Sequence, residues 1–82
     1  MERFEIEQKV KNFLINDFEY DEATLTPDAR LREDIGIDSL DFVDLIVIVD
    51  REFHFRIEPD DLKTIITLSD FISYIEQKTS NS

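Results

Sequence analysis

Apolar residues along this chain fall in runs at helical spacing, interrupted by one long stretch without that rhythm. Over residues 4–18, Ile6, Val10, Phe13, Leu14 and Phe18 recur at steps of three and four, with Lys9, Lys11 and Asn12 between them. That spacing predicts a first amphipathic helix. From Glu19 to Asp38 the rhythm stops, and Thr24, Thr26, Pro27 and Gly36 mark a long loop. Its apolar residues Leu25, Leu31 and Ile35 are expected to pin it to the core. Loops of this length without structure are uncommon and often functional. Asp38 then reads as an N-cap, with Asp41 near a capping-box position, for a second helix from Ser39 to about Phe53. Pro59 suits the first turn of a short third helix over residues 59–65. Thr67 caps a fourth over residues 68–77, with Asp70 three residues later and an apolar side of Leu68, Phe71, Ile72 and Ile75. The polar tail Lys78–Ser82 is expected to fray. The pattern predicts one all-α domain spanning residues 1–82, a four-helix bundle with a short third helix and a long loop between helices 1 and 2.

The second helix carries two apolar faces. At about 100° per residue, Phe42, Leu45, Ile46, Val49 and Phe53 cluster on one side as a core stripe. Leu40, Val43 and Val47 form another stripe elsewhere on the helix, flanked by Asp44, Asp50 and Arg51. Two arrangements accommodate it. Either the long loop covers it, or it is a docking face rimmed by acids. Asp44, Asp50 and Arg51 would be hard to bury at its edge.

Composition narrows the classes of function. The chain has 82 residues, of which 41% are hydrophobic and 35% charged. A domain of this size buries roughly 60–65% of its unfolded surface, so the core is modest. The net charge of −11 disfavours nucleic acid and anionic membrane and suits a partner with a basic surface. Acidity alone would equally serve solubility. There is no cysteine, which excludes disulfides and thiolate metal sites and fits a reducing compartment. The first residues are charged, without an apolar signal core. The longest apolar run, Leu45–Val49, is too short to span a bilayer. A cytoplasmic location is expected.

Ser39 stands at the first position of helix 2. Backbone N–H groups at a helix N-terminus favour an attached or bound anion such as phosphate, although a serine there is ordinarily just a good helix starter. The surrounding residues are more specific. Asp34-Ile35-Gly36-Ile37-Asp38-Ser39-Leu40-Asp41 resembles the phosphopantetheine attachment motif of acyl carrier proteins, whose core Gly-x-Asp-Ser-Leu stands complete here. Leu31 precedes it where such proteins carry a bulky apolar anchor. Val43, Leu45, Val49 and Phe53 follow at the family's helix spacing, and Pro59, Asp60, Thr67 and Ile75 fit the remainder.

The resemblance covers nearly the whole chain and implies a carrier rather than an enzyme. It implies that Ser39 is esterified with 4'-phosphopantetheine by a pantetheinyl transferase using coenzyme A and magnesium. It implies that Asp38 helps present Ser39 and the metal to that transferase. Leu40, Val43, Asp44, Val47 and Asp50 would contact partners, namely acyl-transferring and synthase enzymes with basic docking surfaces. Such a carrier would be a monomer serving fatty-acid or related biosynthesis, or alternatively a D-alanyl, peptidyl or secondary-metabolite carrier. Two positions depart from the common pattern. Arg51 interrupts a mostly acidic helix, and Phe42 is bulkier than the small polar residue often found there, which bears on the shape of an acyl-sheltering cavity.

Other chemistries fit less well. A nucleophilic serine needs a base within hydrogen-bond reach. The one histidine, His54, lies fifteen residues along the same helix, roughly 20 Å away at helical rise, and reads as an exposed helix-end residue. Asp28–Ile37 lacks the register of a calcium loop, no other metal site is indicated, and Asp60-Asp61 and Glu19–Glu22 read as solvated charge. An unmodified acidic helical adaptor shares the charge and the second stripe.

Overall fold

The computed structural model describes the backbone of residues 2–80 and the side chains of residues 2–79. Among the described residues there are four α-helices: α1 (Arg3–Asn16), α2 (Ser39–Phe53), α3 (Pro59–Leu62) and α4 (Leu68–Ser80). Among the described residues no strand forms, only an isolated antiparallel bridge between Arg30 and Thr67. The fold is the all-α arrangement with a short third helix that the periodicity predicts.

The core is wholly apolar. Ile6, Val10, Phe13 and Leu14 of α1 meet Phe42, Leu45, Val49 and Phe53 of α2 and Leu68, Phe71, Ile72 and Ile75 of α4. No polar or charged residue is buried among the described residues. α1 packs on α4, and Arg3 fastens the outside of that pair by donating to Ser69 and Ser73 and pairing with Glu76 at 3.2 Å. Phe71 is fully buried, so truncating it to Ala would cost about 3–5 kcal/mol.

Local preference alone would not make α2 a helix. Val43, Ile46, Val47, Ile48 and Val49 are β-branched and lose side-chain freedom in a helix. The helix stands because its core stripe is buried and both its ends are capped. Asp38 Oδ1 accepts from the Asp41 N–H at 2.9 Å. His54 closes the C-terminus in the left-handed region at φ 62°, its N–H donating to the Asp50 carbonyl at 3.0 Å. Ile46, which the periodicity places in the core stripe, is half-buried at its edge.

The segment between α1 and α2 is more ordered than a plain loop. It contains a 3-10 turn at Glu22–Thr24 and a π-helical turn at Leu31–Ile35. It is stitched by backbone to the entry of α4: the Leu31 N–H donates to the Ile66 carbonyl, the Leu68 N–H to Ala29 and the Ser69 N–H to Pro27, at 2.9, 2.9 and 3.0 Å. Leu25, Leu31 and Ile35 are buried, as expected, and so are Ala29 and Ile37. A second tie is polar. Tyr20 donates its hydroxyl to the Asp41 carboxylate on α2, and its ring stacks on Phe18 with centroids 5.8 Å apart. Asp41 therefore does not complete a capping box with Asp38; its carboxylate is taken by the loop.

Three boundaries differ from the periodic reading. α1 ends at Asn16 rather than residue 18, because the Phe18 and Tyr20 N–H groups turn back to Phe13 and Leu14 and Glu19 adopts φ 62°. Phe18 leaves the helix but still packs on the core. α3 stops at Leu62 rather than residue 65, because Thr64 caps Asp61 with its hydroxyl at 2.8 Å and Ile65 turns inward to be buried. α4 continues past residue 77 to Ser80, so Lys78–Ser80 are helical, while Asn81 and Ser82 lie outside the described residues.

The α4 entry is a complete capping box. Thr67 Oγ1 accepts from the Asp70 N–H at 3.1 Å, and Asp70 Oδ2 accepts from the Thr67 and Ile66 N–H groups. Those donors, Thr67 first, hold the Asp70 carboxyl below its ordinary pKa. The folded protein thus binds fewer protons here than the unfolded chain. The stabilisation is present above the ordinary carboxylate pKa and fades as pH falls through the depressed one. Asp70→Asn should lower the urea midpoint at pH 7, and its gap to wild type should shrink at pH 3. Tyr20→Phe removes a hydrogen bond to a charged group and should cost about 2 kcal/mol by urea unfolding, with the loss concentrated in the hydrogen-exchange protection of residues 19–30.

Candidate functional site

The entry to α2 is built by a short sequence of backbone choices. The π-helical turn ends at Gly36, whose φ of 93° lies in the left-handed region open chiefly to glycine. No atom crowds the position, so backbone conformation and not space is what requires glycine there. With the Gly36 and Ile37 N–H groups both bonded to the Leu31 carbonyl at 3.1 and 2.8 Å, the chain reverses. Ile37 is thereby driven into the core, at 3% exposure. Asp38 follows in extended conformation and caps the helix.

Ser39 then emerges at the first helical position with its side chain exposed. Because Asp38 turns its carboxylate toward the Asp41 N–H, it leaves the serine hydroxyl open to solvent. The nearby acids are each engaged. Asp41 accepts from Tyr20. Asp34 accepts from the Arg30 backbone N–H at 2.8 Å, which is the largest cause of its lowered pKa. Burial and the Asp41 hydrogen bond raise the Tyr20 pKa well above its ordinary value, so Tyr20 is a fixed donor at neutral pH. These features fit a phosphoryl-linked arm: a free hydroxyl, unoccupied space around it and helix-end N–H groups beneath.

Beyond Ser39 the second apolar stripe runs along the outer side of α2. Leu40, Val43 and Val47 are 78%, 60% and 62% exposed, so the long segment does not cover them. Asp44 and Asp50 flank the stripe, both exposed. Arg51 leans away from it, with the Asp17 carboxylate 3.6 Å and Glu52 3.5 Å from its guanidinium. Phe42 is buried at 5% exposure, and the Arg32 guanidinium lies over its ring at 4.8 Å from the centroid. His54 is exposed at the far end of α2, away from Ser39.

Sequence reasoning did not find the Tyr20–Asp41 tie or the Arg32–Phe42 stack, since both join positions far apart in the chain. It also passed over Ile57, fully buried between α2 and α3. An isolated apolar residue between Arg56 and Glu58 offers no periodicity to read.

Comparison with known proteins agrees with this geometry. Residues 8–75 match the family described as phosphopantetheine attachment site. An acyl carrier protein of Thermotoga maritima is 42% identical over 76 residues, covering 93% of this chain and 94% of its own. One of Solidesulfovibrio magneticus is 37% identical over 73 residues, covering 89% and 94%. The solved structure of the thermally stable acyl carrier protein from Enterococcus faecalis superposes over the full length of both chains with a TM-score of 0.75 at 28% identity. With a matching family over most of its length and the same helical fold, the chain belongs to the phosphopantetheine-attachment family, among the acyl carrier proteins.

Proposed function

We propose that Ser39 is the attachment point of 4'-phosphopantetheine, and that residues 1–82 act as one carrier domain holding acyl groups as thioesters for enzymes of fatty-acid or related biosynthesis. The observation that carries this is the exposed hydroxyl of Ser39, set at the start of α2 by the Gly36 turn and the Asp38 cap, inside a chain of the phosphopantetheine-attachment family. Attachment joins Ser39 Oγ to the phosphorus of the pantetheine half of coenzyme A. The pyrophosphate link breaks, the nucleotide half leaves, and the hydroxyl proton passes to a base of the transferase. When bound, the arm supplies the thiol that this cysteine-free chain lacks. The chain itself positions and presents, which is the work of a carrier and not a catalyst.

Supporting roles for the neighbouring residues accord with the same geometry. Asp38 fixes the first turn and lies next to Ser39, where a transferase and its magnesium would approach. Leu40, Val43 and Val47 form an apolar strip with Asp44 and Asp50 at its rim, which suits a partner presenting apolar contacts ringed by basic side chains. Among the described residues no helix is long and apolar enough to cross a membrane.

Co-expression with a pantetheinyl transferase should add a single phosphopantetheine to the wild type by intact-mass measurement, and none to Ser39→Ala. A wild type that stays unmodified with several transferases would leave an unmodified acidic adaptor instead. Val43→Ala should lower kcat/KM for modification or acyl loading roughly fivefold, the equivalent of about 1 kcal/mol of lost apolar contact. Its far-ultraviolet circular dichroism should be unchanged. Equal rates with every partner tested would remove Val43 from the docking strip.

A further inference from the structure

We infer that Arg32 is the counter-ion of the phosphodiester on Ser39, a positioning residue that fixes the side of α2 on which the arm leaves. This role presupposes that Ser39 carries the arm. A phosphodiester there enters an acidic neighbourhood, since Asp34, Asp38 and Asp41 all stand within five residues of Ser39. Of the two cations in the adjoining π-helical turn and its flank, Arg30 is committed. It pairs with Glu33 at 2.6 Å and with Asp34 at 3.4 Å. Arg32 is different. Although Glu33 is its neighbour and the chain has 20 acids against 9 bases, it makes no ion pair among the described residues, and its guanidinium rests on Phe42 at 4.8 Å from the ring centroid.

Phe42 follows Ser39 by three residues in α2. Residues at that spacing share a helix face, with Cβ atoms about 5–6 Å apart. Phe42, the residue on which the guanidinium rests, is therefore rooted about one helical turn from the serine. Stacking on an aromatic uses the flat face of the group and leaves its edge N–H donors free, and that planar fork matches phosphate oxygens bidentately. Arg32 also borders a groove of about 370 Å³ with Leu62, Ile65 and Ile66. A phosphate held by Arg32 sends the arm toward α3 and that groove, away from the side where Tyr20 meets Asp41.

The test compares apo and modified protein by NMR, for wild type and Arg32→Gln. In the wild type, modification should move the Arg32 Nε–H resonance and the amides of Ile65 and Ile66. In Arg32→Gln the movement at Ile65 and Ile66 should be lost and the phosphorus resonance displaced from its wild-type position, while the apo spectrum elsewhere is retained. An Arg32 Nε–H resonance that stays put on modification of the wild type, or identical phosphorus resonances in both proteins, would overturn the pairing even with the arm attached. That wild-type measurement needs no variant to fold. Failure of Ser39 to gain mass, by contrast, would sink the attachment itself.

Discussion

The architecture hangs on Leu31. Its side chain is almost fully buried, its N–H is bonded to the Ile66 carbonyl, and its own carbonyl accepts from both Gly36 and Ile37. One residue thus joins the core, the entry of α4 and the reversal that starts α2. Remove that anchorage and the Gly36 turn has nothing to turn against, Ile37 loses its route into the core, and Ser39 is no longer set at a defined point in space. The segment between α1 and α2, longer than most connections in compact domains, is tolerable because its backbone groups are satisfied by the α4 entry and its apolar residues by the core.

A single helix performs two opposed tasks. α2 must bury one face strongly enough to hold a β-branched sequence in helical form, and it must leave another apolar face in water. It does so by placing Phe42, Leu45, Val49 and Phe53 inward and Leu40, Val43 and Val47 outward. The outward face costs little because the core side alone secures the helix, together with the caps at Asp38 and His54. The face that secures the fold and the apolar face left in water are thereby kept on separate sides of one helix.

Charge is arranged with the same economy. The chain carries a net −11, yet several of its acids are engaged: Asp38 with a backbone N–H, Asp41 with Tyr20 and Asp34 with Arg30 near the α2 entry, and Asp70 at the entry of α4. These contacts are neutral or cationic donors meeting ionised acceptors, stronger than neutral hydrogen bonds. They turn part of a repulsive composition into local structure, while Asp44 and Asp50 stay exposed on α2.

Helix number and order, the caps at Asp38 and Thr67, both faces of α2 and the Gly-x-Asp-Ser-Leu stretch around Ser39 were all determined by the sequence itself. Each is a local matter of spacing or of a side chain reaching its own backbone within one turn. Tertiary structure decided what joins distant positions. Tyr20 meets Asp41, Arg32 lies on Phe42, Leu31 bonds to Ile66 and Ile57 is buried. It also decided that the long segment stays off the outer stripe of α2, and that α1 and α3 stop short where Phe18 and Ile65 are drawn toward the core. Periodicity records which face of an element is apolar, but which element that face meets, and where a helix must end for a side chain to reach the core, depends on neighbours remote along the chain.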